Sequence, residues 1–66
     1  MSDFWKSIEN RRKLLGISRA EMARRAGISE STVAKGFKLK RKPHYSVRQQ
    51  VERVLNEEER EQEAAA

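Results

Sequence analysis

The chain has 66 residues, of which 15 are Lys or Arg and 10 are Asp or Glu, so its formal net charge is +5. So short a chain allows one domain, and because it contains no cysteine, disulfides and thiolate metal sites are excluded. It also lacks an apolar run of about 20 residues, the length that a membrane-spanning helix needs.

The charge is unevenly distributed along the chain. Residues 57–66 contain five Glu and one Arg, a local charge of −4, which leaves +9 on residues 1–56. We therefore expect one domain over residues 1–56 and an acidic tail over residues 57–66. The tail is expected to fray, because negative charge at the C-terminal end of a helix opposes the helix dipole. The strongly basic body indicates a polyanionic partner, with nucleic acid first and an anionic membrane surface second.

The first predicted helix begins near Ser2 or Asp3, either of which can cap it, and runs through Leu15. Gly16 then ends it, because glycine adopts the left-handed conformation that commonly follows a helix. The apolar side chains of this segment form an uneven stripe made of Phe4, Trp5, Ile8 and Leu15.

The second predicted helix opens with a capping box. Ser18 can accept a hydrogen bond from the amide of Glu21, while the Glu21 carboxylate can reach back to the amide of Ser18. Gly27 ends this helix after about eight residues. Its inner face consists of Met22, Ala23 and Ala26.

The third predicted helix follows almost at once, with Ser29 as its cap. Val33 and Ala34 are expected to point inward. Gly36 is expected to end the helix, so that it covers residues 30–36, and Phe37 is expected to fold back into the core.

A basic loop and a last helix complete the chain. Residues 38–46 are expected to form the loop, because Pro43 lacks an amide hydrogen and restricts the residue before it. A second capping box, Ser46 with Gln49, is expected to open the fourth helix. That helix carries one apolar face, made of Val47, Val51, Val54 and Leu55. The fold class is therefore all-α, a compact bundle of four helices with a basic loop between the third and the fourth.

The stretch "RAEMARRAGISESTV" combines a short helix, a glycine turn and an immediate restart. With Ala23, Gly27, Ile28 and Val33 in register, it resembles the helix-turn-helix domains of the phage repressor and Cro type. Arg12, four residues before Gly16, also lies where that family often has a structural arginine. The resemblance covers roughly residues 5–37, and the chain departs from it at Gly36, where the family usually has a branched apolar residue.

The resemblance implies binding of a double-stranded DNA operator through the major groove, with Ser29–Lys35 as the reading helix. Lys35 can donate hydrogen bonds to guanine, and Thr32 can bond a base edge or contact a thymine methyl. Glu30 can accept a hydrogen bond from the amino group of cytosine. The residues implied as base-reading are Ser29, Glu30, Ser31, Thr32 and Lys35. The residues expected at phosphates are Arg19, Lys38, Lys40, Arg41, Lys42 and Tyr45.

Alternative roles of single residues are also open. The lysines and arginine of the loop can be simply solvated, Tyr45 can cover the core instead of meeting phosphate, and Trp5 and Phe4 belong to the core or to a subunit interface. His44 has no second ligand nearby in sequence, so we expect no metal and no other cofactor. The chain contains no nucleophile–base pairing and no Gly-rich phosphate loop, so we do not expect an enzyme.

These features predict a cytoplasmic transcriptional regulator, and the resemblance suggests a repressor or control protein of a phage or mobile element. We expect a homodimer on an inverted repeat, since one reading helix contacts too few base pairs for adequate discrimination. The alternative is a protein-interaction module on the same fold, such as an antitoxin or an anti-activator, which should expose an apolar stripe on the third helix. An architectural factor that bends DNA, or a fragment of a longer regulator, are further alternatives.

Overall fold

A computed structural model describes residues 4–39 and 42–66 of the chain. This part of the chain forms four α-helices and no strand: α1 (Phe4–Leu15), α2 (Arg19–Ala26), α3 (Glu30–Leu39) and α4 (Tyr45–Ala65). The predicted all-α fold with four helices is confirmed. Ser2 and Asp3, the expected caps of the first helix, lie outside the described residues.

Local signals set the ends of α1 and α2. Gly16 and Gly27 have φ angles of +76° and +71°, the left-handed conformation in which glycine is favoured. The Ser18 hydroxyl accepts a hydrogen bond of 3.0 Å from the amide of Glu21, as the capping box requires. The return half of the box is wrong, because the Glu21 carboxylate pairs with Arg24 instead.

Helix α3 is longer than the sequence predicted. It continues through Gly36 and ends at Leu39, so Lys38 belongs to its last turn and not to the loop. Gly36 is buried in the helix, where the indole ring of Trp5 packs directly against it. Ala34, expected to point inward, is exposed, whereas Val33 is fully buried as expected.

Helix α4 begins two residues earlier than predicted, at Tyr45, and ends much later. Its N-cap is His44, which provides no side-chain hydrogen bond, so the expected capping box of Ser46 and Gln49 is wrong. The Gln49 amide nitrogen donates to the Tyr45 hydroxyl instead, at 2.9 Å. The helix then continues to Ala65, so the expected fraying of the Glu-rich segment is not observed. The division of the chain at residue 56 stays a prediction.

One apolar core lies between the helices. Helix α4 packs mainly against α2 and α1, while α3 contacts α2 and α1. Trp5 is 4% exposed and therefore belongs to the core, with the ring of Phe4 edge-on at 5.1 Å between centroids. This packing leaves the opposite side of α3 open to solvent. The buried residues are Trp5, Ile8, Met22, Ala23, Ala26, Val33, Val51, Val54 and Leu55.

Candidate nucleic-acid interface

The turn between α2 and α3 sets the direction in which α3 projects. The amide of Ile28 donates to the carbonyl of Ala23 at 3.0 Å, and the left-handed Gly27 reverses the chain. Ala23 and Val33 are buried where the two helices meet, so small and branched side chains allow a close approach. Two helices joined by so short a glycine turn form a helix-turn-helix, in which the second helix protrudes.

The outer face of α3 carries short polar side chains and one lysine. Ser29, Glu30, Ser31, Thr32 and Lys35 are all exposed. Their spacing brings them to the N-terminal half of the helix, away from Val33 and Gly36, which are buried. A helix with this surface can enter the major groove of DNA, which is about 12 Å wide.

Three hydroxyl groups at the start of α3 form a connected cluster. The Ser29 hydroxyl accepts from the amide of Thr32 at 3.2 Å and lies 2.8 Å from the Thr32 hydroxyl. It also lies 3.1 Å from the hydroxyl of Ser31. Ser29 is therefore occupied as the helix cap, as the sequence predicted, and it orients its two neighbours.

Several lysines near the end of α3 carry unneutralised charge. Lys35, Lys38 and Lys42 are exposed and form no ion pair with any described residue. Lys40 and Arg41, also predicted at phosphates, lie outside the described residues. The Tyr45 side chain is 71% exposed, so it does not cover the core. Its hydroxyl accepts from Gln49 at 2.9 Å within the first turns of α4.

Most arginines, in contrast, are engaged by carboxylates. Arg25 donates to Glu58 at 2.6 Å with only 22% of its side chain exposed. Arg11 donates to Glu59 at 2.9 Å. Arg53 pairs with Glu57 at 3.0 Å. Most arginines of α1, α2 and α4 are thus neutralised within the protein, while Lys35, Lys38 and Lys42 are not neutralised by any described residue.

Arg12 has the structural role that its position suggested. It donates to the carbonyl of Ile17 at 2.7 Å and forms an ion pair with Glu9, and only 14% of its side chain is exposed. It thereby holds the end of α1 against the segment that leads into α2. A partly buried guanidinium with two acceptors fixes this connection more firmly than an exposed ion pair would.

Arg19 occupies a junction of three helices that sequence reasoning did not find. Its Nε donates to Glu9 of α1 at 3.2 Å, and its guanidinium carbon lies 4.3 Å from the ring centroid of Phe37 of α3. The signal in the sequence is weak, because the three residues are far apart in the chain. The sequence shows Arg19 directly after the Ser18 cap and Phe37 near the end of α3, but no pattern in it indicates that the two side chains meet.

Glu9, Glu21 and Glu58 have lowered pKa values, and the pairs of Glu9 and Glu58 connect different helices. Burial raises the pKa of Glu9, but hydrogen bonds from Arg12 and Arg19 and their positive charges outweigh it, so the net pKa lies below the ordinary value. The hydrogen bond from Arg25 lowers the pKa of Glu58, and the same bond raises the pKa of Arg25. Glu9 and Glu58 are therefore held in the charged form at neutral pH.

A family model described as helix-turn-helix matches residues 8–62, which is most of the chain. The match includes the Gly27 turn, α3 and most of α4. The chain belongs to the Cro/C1-type helix-turn-helix family. As a member, it is a DNA-binding transcription regulator and its partner is double-stranded DNA. Comparisons with curated proteins and with solved structures give no significant match.

Two further observations concern the described part of this helix-turn-helix protein. None of its helices over residues 4–39 and 42–66 combines the length and the apolar character needed to cross a bilayer. Within the same residues, no group of three or more His, Cys, Asp or Glu side chains could hold a metal ion.

Proposed function

We propose that the protein is a sequence-specific regulator that reads the major groove with the N-terminal half of α3. The observation that carries this proposal is the contrast in charge. Lys35, Lys38 and Lys42 have no partner among the described residues, whereas the arginines of the helices behind α3 are mostly paired with carboxylates. Unpaired cations can contact the phosphates of DNA, and a projecting polar helix beside them can contact the base edges in a groove.

Each side chain on the outer face of α3 has a role that fits its chemistry. Lys35 can donate to guanine O6 and N7, and Thr32 can bond a base edge or contact a thymine methyl. Ser31 can donate or accept. The carboxylate of Glu30 can accept from the amino group of cytosine, while its charge also favours the N-terminus of α3. Ser29 caps the helix and supports the hydroxyls of its neighbours.

Phosphate contacts are proposed for the residues beside that face. Lys38 and Lys42 flank the end of α3 and the start of α4, and Lys40, Arg41 and Tyr45 lie between or next to them in the chain. The first turn of α4 has no side-chain cap, so the partial positive charge of the helix N-terminus adds to that of the lysines. Contacts of this kind fix the register on the duplex without specifying sequence.

We further propose that the protein acts as a two-fold homodimer on an inverted repeat, as a cytoplasmic repressor of a phage or mobile element. The reason for dimerisation is that a single reading helix contacts only a few base pairs. Half-sites should then lie about one helical turn apart, about 34–36 Å between centres. Trp5 is buried, so α4 is the surface that we favour for pairing the subunits. The alternative of a protein-interaction module has less support, because the outer face of α3 is polar.

Four alanine variants test this assignment in gel-shift titrations on an operator duplex and a scrambled duplex. Thr32→Ala and Lys35→Ala should weaken binding to the operator much more than to the scrambled duplex, since each removes a base contact of about 1–3 kcal/mol. Lys38→Ala and Lys42→Ala should weaken binding to both duplexes, since phosphate contacts carry no sequence information.

Arg60→Ala is the matched control. It also removes one cation that has no ion pair among the described residues, but from the C-terminal half of α4. It should change binding to either duplex only slightly. Equal losses on both duplexes for all four α3 and loop variants would contradict the assignment of base-reading and phosphate-binding residues.

A further inference from the structure

The guanidinium of Arg19 is held from two directions at the junction of α1, α2 and α3. Glu9 accepts from its Nε at 3.2 Å, and its guanidinium carbon lies over the ring of Phe37, 4.3 Å from the ring centroid. Phe37 is itself fixed, because it is half-buried with its ring centroid 5.5 Å from that of Trp5. The aromatic surface on which Arg19 rests is therefore part of the core.

This arrangement leaves the outer edge of the guanidinium open. Only Nε of Arg19 donates to a described residue, so Nη1 and Nη2 have none of these residues as a partner. The Arg19 side chain is 43% exposed. Arg53 differs, because all three of its nitrogens donate within the protein.

The charge of the cluster also stays positive. Glu9 is shared between Arg12 and Arg19, so one carboxylate faces two guanidinium groups. The net charge of these three side chains is therefore +1. An anion that approaches Arg19 meets a positive site, although Arg19 has an internal ion pair.

We propose that Phe37 is a positioning residue that presents Arg19 to a DNA phosphodiester as a preoriented two-nitrogen fork. Two parallel N–H groups match two phosphate oxygens, and the aromatic ring fixes the plane of the fork. A free arginine loses side-chain entropy when it binds, whereas Arg19 has lost most of it during folding. The inference rests on the proposed binding of DNA by the face that contains α3. It gives Phe37 a role in that binding through Arg19, without a contact between Phe37 and the DNA.

The test measures affinity for a fixed duplex over a range of salt concentrations. Arg19→Ala removes a phosphate contact, so the log–log salt slope should become shallower by about 0.9. Arg19→Lys and Phe37→Leu keep the positive charge, so their slopes should match the wild type. Both should nevertheless weaken binding several-fold. Arg19→Lys loses the two-nitrogen fork, and Phe37→Leu loses the ring that orients it.

Two controls separate positioning from a general role of Phe37 in stability. Arg24→Ala removes a charge from the same helix, at a side chain that is 72% exposed and paired with Glu21, and should change neither slope nor affinity appreciably. Phe37→Leu should cause no further loss of affinity in the Arg19→Ala background, at a temperature where circular dichroism shows all variants folded.

Three results would overturn the inference. One is an equal loss of affinity for Phe37→Leu with and without Arg19, which would mean that Phe37 acts only through the fold. Another is an unchanged salt slope for Arg19→Ala in a protein that still binds DNA. A wild-type protein without any salt-dependent affinity for duplex DNA would contradict the proposed function as well as this inference.

Discussion

At the scale of single residues, several of the described ion pairs connect different helices. Glu9 joins α1 to the start of α2 through Arg19, and Glu58 joins α4 to α2 through Arg25. Exposed ion pairs contribute little individually, about 0–1 kcal/mol. Their importance here is that they connect different helices, so that their loss loosens the bundle on which α3 is mounted.

The lowered pKa values predict a loss of stability in acid. A carboxylate whose pKa is lower in the folded protein stabilises the fold above its unfolded pKa, and this contribution disappears as the pH falls through the folded pKa. For Glu9 and Glu58 the loss should therefore begin near pH 4.5 and continue below it. Glu58→Gln should lower the melting temperature at pH 7 and by less at pH 3, because protonation of Glu58 as the pH falls removes its pair with Arg25.

Glu63→Gln serves as the control, because Glu63 forms no ion pair with the described residues and is exposed. It should leave the melting temperature nearly unchanged at both pH values. Identical melting curves of wild type and Glu58→Gln at pH 7 would contradict a stabilising role of the pair with Arg25. Thermal unfolding followed by circular dichroism is the measurement.

At the scale of helices, α1 and α3 pack closely because Trp5, a large residue of α1, lies against Gly36 of α3. A Cβ atom at Gly36 would lie within 2.7 Å of three atoms of the Trp5 ring. Gly36→Ala should therefore destabilise the protein by about 1–3 kcal/mol through overpacking, although alanine is favoured over glycine within helices by about 1 kcal/mol.

The sign of this effect should reverse when the ring is absent. In a Trp5→Leu background, Gly36→Ala should stabilise the protein, because only the helix preference remains. Urea unfolding of the four proteins in this double-mutant cycle measures both effects. Stabilisation by Gly36→Ala in the wild-type background would contradict the packing of Trp5 on Gly36.

The features of the helices that sequence could predict are local ones. The sequence predicts correctly that Ser18 caps α2, that Gly27 adopts the left-handed conformation and that Ser29 caps α3. These features are predictable because a cap or a turn involves only residues within one helical turn of each other. The same local reasoning predicts a helix end at Gly36, and there it is wrong. The true role of Gly36 depends on Trp5, which lies 31 positions away and whose packing no local pattern reveals.

The last helix shows how tertiary contacts outweigh a local preference. Negative charge near a helix C-terminus costs about 0.3–1 kcal/mol, which led us to expect fraying. Opposing this, Glu58 and Glu59 pair with Arg25 and Arg11, and the Gln62 amide donates to the Leu15 carbonyl at 2.8 Å. Several contacts of this kind together exceed the cost, so the helix continues to Ala65.

At the scale of the whole molecule, the charge of the chain is the feature that relates most directly to its partner. The total of +9 on residues 1–56 predicted a polyanionic partner correctly, since the family binds double-stranded DNA. Composition could not show which cations remain free to bind DNA, because that depends on which arginines form ion pairs with carboxylates of α1 and α4. The structure leaves Lys35, Lys38 and Lys42 without ion pairs among the described residues, and all three lie on α3 or just after it.

The central claim is that α3 reads a defined DNA sequence, and selection of duplexes from a randomised pool tests it most directly. The wild-type protein should enrich one motif arranged as an inverted repeat, with half-site centres about 10 base pairs apart. Lys35→Ala should lose preference at one base pair of each half-site and keep it at the others, whereas Arg60→Ala should select the wild-type motif. Selection of no motif by the wild type, or of an unchanged motif by Lys35→Ala, would contradict the claim.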